Sequence, residues 1–209
     1  MRAPYRCVAT SVGGFVQQLA VAYIARGYHF YSSSVIPEDK DPRLVDAKLI
    51  ERYGIDCSKW ERARRKRLGI ANVQYLRYDR SIVIVATKGT GRFFQEEQFR
   101  DFRRRPLYFA GYSISCKKDH EGKKLHPHVR LSRRQMALLK SFLMEVGVRR
   151  DVASLNRWFS SLDVEAYKPV GRQLFELRRL VNTIREPIGL ELVPVSCLPL
   201  RRRVLRPFD

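Results

Sequence analysis

Cysteine is scarce in this sequence, and its four copies lie far apart. Cys7, Cys57, Cys116 and Cys197 form no C-x-x-C pair. A zinc ribbon or a dithiol redox motif would need such a pair, so neither is indicated. We expect four reduced thiols that are buried in the core.

Long apolar runs are also missing. The first apolar stretch, after Met1-Arg2, is interrupted by Gly13-Gly14 and Gln17-Gln18. It therefore fits neither a signal peptide nor a membrane span. We expect no membrane partner and a cytoplasmic location.

Acidic residues are few in comparison with basic ones. The 209 residues contain 41 Lys and Arg but 21 Asp and Glu, which gives a formal net charge of +20. Such an excess repels itself unless a polyanion neutralises it, so the composition favours a DNA or RNA partner. An acidic protein partner, an anionic membrane and codon bias are the alternatives. A hydrophobic content of 44% is enough to build a core, so a disordered chain is not expected.

Periodicity and turn residues predict an α+β fold. We expect helices over 14–26 and 42–53, after Ser58, Ser132 and Asp151, and over 170–184, because each has a capping residue or an apolar face. We expect strands over 28–36, 73–78, 82–87, 107–116, 125–131 and 190–195. The four strands between 73 and 131 should form one antiparallel sheet, of about four to six strands in all, covered by helices.

Nothing in the sequence marks a domain boundary, since it has no internal repeat, low-complexity tract or Pro/Gly/Ser linker. We therefore expect a single domain over residues 1–209. It should be strand-rich over 1–131 and helix-rich over 132–187, with a final strand and basic tail over 188–209.

The segment after Ser58 is the strongest candidate for phosphate contact. Residues 59–67 read KWERARRKR, so cations cover most sides of a short helix. Like charges three and four residues apart repel one another, and a phosphate backbone alongside would remove that cost. The candidate contacts are Lys59, Arg62, Arg64, Arg65, Lys66 and Arg67. The alternative is a solvated helix face.

Two arginine triplets are further candidates. One precedes a predicted strand and the other lies in the C-terminal tail. Each could contact nucleic acid, the alternative being that it serves only solubility. They are Arg103, Arg104 and Arg105, and Arg201, Arg202 and Arg203. Tyr75, Arg77 and Tyr78 could stack on unpaired bases, the alternative being that they pack against the helices.

One short motif indicates metal-dependent chemistry. In His126-Pro127-His128, alternation along a strand places both imidazoles on one face, where they could bind one divalent metal. The motif resembles the His-hydrophobic-His motif of the HUH endonucleases, which nick single-stranded DNA. That resemblance implies His126 and His128 as ligands of Mg²⁺ or Mn²⁺ and Tyr167 as the nucleophile. Pro127 and the position of Tyr167 just before Lys168-Pro169 depart from the family pattern. The alternative is two histidines on a solvent-facing or phosphate-facing strand.

Other routes to catalysis are weaker. Lys88-Gly89-Thr90-Gly91 lacks P-loop spacing, no catalytic triad is visible, and Asp46 and Glu51 are interpreted as the polar face of a helix. Residues 71–89 (ANVQYLRYDRSIVIVATKG) and 103–115 (RRRPLYFAGYSIS) resemble an uncharacterised bacterial family of small basic proteins. That resemblance implies no activity.

The sequence therefore predicts a nucleic-acid-binding protein without a cofactor, in which a mobile-element association is conceivable. The alternatives are an HUH-type single-strand DNA nickase or transposase and a non-enzymatic adaptor for an acidic protein. We do not favour an enzymatic activity for this protein. If it has one, we expect a DNA endonuclease. The sequence sets no oligomeric state.

Overall fold

The computed structural model describes residues 5–119, 121–201 and 205–208. The α+β class is confirmed, with helices and two antiparallel sheets of four and three strands in the described residues. These residues form two compact units, one made of 5–107, 114–119, 121–128 and 205–208, the other of 108–113 and 129–201.

The first unit begins with a helical segment that changes its hydrogen bonding along its length. Helix α1, Val12–Gln17, is capped by the Ser11 side chain. It continues as a π-helix, Gln18–Tyr23, and a 3₁₀ turn, Ile24–Arg26. Gly27, at φ 94°, ends it. The sequence predicted one helix here, and the structure adds the π-helical section.

The four-stranded sheet of this unit is antiparallel, in the order β2-β3-β1-β4. Its strands are β1 (Phe30–Val35), β2 (Val73–Tyr78), β3 (Ser81–Ala86) and β4 (Arg100–Asp101). The predicted hairpin is confirmed, with Asp79 in its turn at φ 50°. Strand β3 is buried from Ile82 to Ala86, as expected for a central strand.

Three helices accompany this sheet. They are α2 (Pro42–Arg52), α3 (Lys59–Arg67) and α4 (Arg92–Glu96). The core contains Tyr53, Ile55, Tyr75, Ile84 and Phe93. Burial of Tyr75 and Arg77 removes them from the candidates for base stacking, since neither presents a ring or guanidinium face to solvent.

The second sheet has the order β5-β6-β7. Its strands are β5 (Leu107–Phe109), β6 (Tyr112–Lys118) and β7 (Leu125–Leu131). The prediction of one strand over 107–116 was wrong, because Ala110 and Gly111 adopt positive φ of 43° and 82° and turn the chain. The strands between 73 and 131 do not form the single sheet that was expected. Strands β2 and β3 belong to the first sheet, and β5, β6 and β7 form the second. Strand β7 is an edge strand, where Pro127 can be accommodated.

The second unit contains the predicted helices of the C-terminal third. They are α5 (Arg133–Val146), α6 (Val152–Ser160) and α7 (Lys168–Arg185). The Ser132 and Asp151 caps are confirmed, since their side chains accept from the N–H groups of Gln135 and Ser154. Leu143, Leu155 and Leu174 are fully buried, so these helices share an apolar interior.

The predicted strand over 190–195 is absent, because its backbone groups bind side chains of α7 instead of a neighbouring strand. The Val193 carbonyl accepts from Arg178 Nε at 2.7 Å and from Asn182 Nδ2 at 3.1 Å. The Val193 N–H donates to Asn182 Oδ1 at 2.9 Å. Arg185 is buried and donates to the carbonyls of Gly147 and Glu191.

The prediction for the cysteines is confirmed. All four are buried free thiols. Burial raises the pKa of Cys116 and Cys197, which keeps these thiols protonated and unreactive at neutral pH.

Candidate nucleic-acid interface

Helix α3 is a basic helix in which every residue is at least partly exposed. It begins because Ser58 Oγ accepts from the Glu61 N–H at 3.0 Å, the predicted cap. Gly69, at φ 71°, follows its C-terminal end. A nine-residue helix that buries no side chain gains little from packing, and such a length is marginal in isolation. Burial of apolar surface therefore contributes little to the stability of α3.

Hydrogen bonds to the surrounding loops hold α3 in place. Arg65 Nη1 donates to the Gly54 carbonyl at 3.0 Å, and Arg65 Nε pairs with Glu61 at 3.4 Å. The Asn72 side chain holds the preceding part of the helix, since its Nδ2 donates to the Arg62 carbonyl at 3.0 Å. Arg65, one of the predicted contacts, therefore serves mainly as an anchor of the helix.

The other predicted contacts of the helix are available to a ligand. Lys59, Arg64, Lys66 and Arg67 are exposed, and within the described residues none of them forms an ion pair. The helix dipole favours the cations of the last turn, but it disfavours Lys59 and Arg62 near the positive end. Intramolecular electrostatics thus explains only part of this charge.

An exposed tryptophan accompanies these cations. The Trp60 side chain is 75% exposed, and the Lys59 ammonium lies 5.3 Å from its ring centroid. Large aromatic rings on a basic surface can stack on bases. We call the set Lys59, Trp60, Arg64, Lys66 and Arg67 the α3 surface.

A glycine loop lies against the C-terminal end of α3. The Thr90 N–H donates to the Gly69 carbonyl and the Ala71 N–H to the Thr90 carbonyl, both at 2.9 Å. A Cβ atom on Gly89 would lie 2.5 Å from the Ala71 nitrogen, so this approach requires glycine. The loop carries Lys88 and, just beyond it, Arg92, both exposed. It adds two cations beside the end of the α3 surface.

The N-terminal part of α3 borders a polar pocket. Arg62 lines this pocket of about 350 Å³ together with Arg6 and Arg26. The sequence did not single out Arg6 and Arg26, because both are isolated in the chain and only the fold brings them together. The available signal was the polar side chains of Gln18 and Gln74 within otherwise apolar elements.

The first predicted arginine triplet is partly engaged in the fold. Arg103 makes a two-pronged contact with Asp101, with Nη2 at 2.6 Å from Oδ2, and its guanidinium lies 5.3 Å from the Phe30 ring centroid. Arg104 and Arg105 are exposed. In the tail, Arg201 is exposed, whereas Arg202 and Arg203 lie outside the described residues.

The structure does not strengthen the nickase interpretation. His126 is exposed and His128 half-buried on the edge strand β7. Tyr167 is the residue before α7, with an extended backbone, and its hydroxyl is buried. Over the described part of the chain, no three His, Cys, Asp or Glu side chains group as a metal site would require.

Asp46 was interpreted as part of a polar helix face, and this interpretation was wrong. Asp46 is buried because it pairs with Arg77.

None of the helices in the described residues has the length and apolar run needed to cross a bilayer.

Comparison of the chain with protein-family models, with curated proteins and with solved structures gives no match.

Proposed function

We propose that this protein binds nucleic acid, DNA or RNA, through phosphate contacts made by the α3 surface. The observation that carries the proposal is a basic helix without a buried residue, in which Lys59, Arg64, Lys66 and Arg67 are exposed and form no ion pair within the described residues. Cations at this density are retained at low cost where phosphates neutralise them. Lys88 and Arg92 extend the positive charge beyond the end of the helix.

The chemistry of the α3 surface supports contact with the backbone more than reading of base edges. In the part of the chain that the structure describes, no ion pair fixes its guanidinium and ammonium groups in one orientation. Such groups follow a phosphate chain and give general affinity. Trp60 adds a ring that can stack on an unpaired base, which favours single-stranded or looped segments over a continuous duplex.

A binding series at several salt concentrations tests the proposal. Labelled duplex DNA, single-stranded DNA and a structured RNA are titrated with protein. The logarithm of the association constant should fall linearly with the logarithm of the salt concentration, because bound cations release counterions from the phosphates. Lack of binding to all three at low salt would contradict the proposal and favour an acidic protein partner.

The same samples test the nickase alternative. Incubation with Mg²⁺ or Mn²⁺ should leave the single-stranded DNA intact if the protein only binds. A covalent protein–DNA adduct that disappears in the Tyr167→Phe variant would instead establish nicking chemistry.

A further inference from the structure

The pocket beside α3 combines three guanidinium groups from different parts of the first unit. Among the described residues, Arg6 precedes α1, Arg26 closes the 3₁₀ turn and Arg62 belongs to α3. One carboxylate, Asp56, also lines the pocket and has an interaction partner. Cations therefore outnumber acids here, and three of them face one small volume of about 350 Å³.

The floor of this pocket is a network of buried, neutral polar groups. Gln74 Nε2 donates to the Tyr28 hydroxyl at 3.4 Å, and the Tyr5 hydroxyl lies 2.8 Å from Gln74 Oε1. Burial raises the pKa of Tyr28, while the hydrogen bond from Gln74 and the charges of Arg62 and Arg26 act in the opposite direction. Because its oxygen accepts from Gln74, the Tyr28 hydroxyl keeps its proton for an acceptor in the pocket.

The π-helix forms one wall. The Ile24 N–H donates to the Leu19 carbonyl, five residues back. This wider winding brings positions four and five residues apart to one side, and Gln18, Ala22 and Tyr23 all line the pocket. Short π-helical segments in proteins frequently occur at functional sites. Arg26, in the 3₁₀ turn that follows, also lines the pocket.

We propose that this arginine pocket, lined by Arg6, Arg26 and Arg62, is a binding site for a phosphate monoester. A monoester carries close to two negative charges at neutral pH and three acceptor oxygens. It therefore matches a pocket lined by three arginines and a phenol donor better than a phosphodiester, which has one charge. The concave shape fits a terminal group rather than a chain that continues on both sides.

The source of the monoester follows from the proposed function, on which this step rests. Arg62 belongs both to the pocket and to α3. A strand that follows the α3 surface toward the N-terminal end of the helix therefore reaches the pocket. The terminal phosphate of that strand is the ligand that we assign.

The test compares single-stranded oligonucleotides of one sequence that carry a 5′-phosphate, a 3′-phosphate or hydroxyl groups at both ends. Inorganic phosphate is titrated separately into the protein by calorimetry. The pocket variant is Arg6→Gln with Arg26→Gln. Its control is Arg43→Gln with Arg100→Gln, which removes two exposed arginines outside the pocket.

We expect one phosphorylated oligonucleotide to bind about tenfold more tightly than the hydroxyl form, the effect of one or two charged hydrogen bonds. The preference should vanish in the pocket variant and persist in the control. Equal affinity for all three oligonucleotides, together with no binding of inorganic phosphate, would overturn the proposal that the arginine pocket binds a phosphate monoester, even if the proposed function stands. If inorganic phosphate binds in a pocket-dependent way but no oligonucleotide binds, the phosphate site stands and the strand end is refuted as its source.

Discussion

Arg77 and Asp46 form a two-pronged ion pair in the interior of the first unit. Arg77 Nε lies 2.8 Å from Oδ1 and Nη2 lies 2.8 Å from Oδ2 of Asp46. The Tyr75 hydroxyl donates to the same Oδ1 at 2.6 Å, and Arg77 Nη1 donates to the Asp79 carbonyl at 2.7 Å. One arginine of the large basic excess is therefore used to build the fold and is not available to a ligand.

Replacement of Asp46 by Asn should destabilise the protein by about 3 kcal/mol, because it leaves the buried Arg77 charge without a counterion. Urea unfolding measures the loss. Glu96→Gln is the control, since Glu96 pairs with Arg52 near the surface and should contribute less than about 1 kcal/mol. Equal losses in the two variants would contradict the role assigned to the buried pair.

Stability should decline at alkaline pH as buried acidic groups ionise. Burial raises the pKa of Cys7 to about 12 and that of Tyr112 to about 12, from 9.0 and 10.0. Because the pKa values of both groups are higher in the folded state than in the unfolded state, their protonated forms stabilise the folded state. This contribution to the free energy of unfolding is complete below about pH 9 and is lost as the pH rises through about 12. Urea unfolding across this range should give a shallower decline for Tyr112→Phe than for the exposed-site control Tyr108→Phe. Identical slopes would refute the assignment.

Trp60→Ala should weaken single-strand binding by about 1–3 kcal/mol, the usual contribution of one stacked base. Binding of a duplex should change less, because its bases are already stacked. Fluorescence anisotropy with both ligands measures the difference. Leu68→Ala removes another exposed apolar side chain just after α3 and should have little effect. The stacking role fails if the two variants lose affinity equally.

Gly89→Ala should destabilise the loop beside α3 by more than about 1 kcal/mol, because the new Cβ would meet backbone atoms at 2.5–2.8 Å. Gly91→Ala is a matched control: its φ of 147° is close to the 153° of Gly89, but no atom lies within 4 Å of the added Cβ. Thermal unfolding of both variants separates steric contact from backbone strain. A larger loss for Gly91→Ala would contradict this account.

Local signals predicted most of the elements. Ser58 and Ser132 cap the helices that they were expected to cap, by accepting from the N–H groups of Glu61 and Gln135. Errors occurred where side chains distant in sequence decide the outcome. The 190–195 segment has strand composition, but Asn182 and Arg178 bind its backbone. No pattern within the segment records that competition.

The candidate site was only partly predictable for the same reason. The charge of α3 is local, so its exposed cations could be identified from the sequence. The role of Arg65 could not, because its acceptor is the Gly54 carbonyl in the preceding loop. The arginine pocket depends on a π-helix and on the approach of Arg6, Arg26 and Arg62, which short-range periodicity does not encode.

The most direct test of the central claim is the salt dependence of binding for two charge-reversal variants. Arg64→Glu with Arg67→Glu changes the α3 surface, and Arg172→Glu with Arg179→Glu makes the same charge change at exposed positions of α7. The α3 variant should lose more than about tenfold in affinity and show a shallower dependence on the logarithm of salt concentration, with an unchanged melting temperature. Equal losses of affinity and slope in the α7 variant would contradict the assignment of α3 as the phosphate-binding helix.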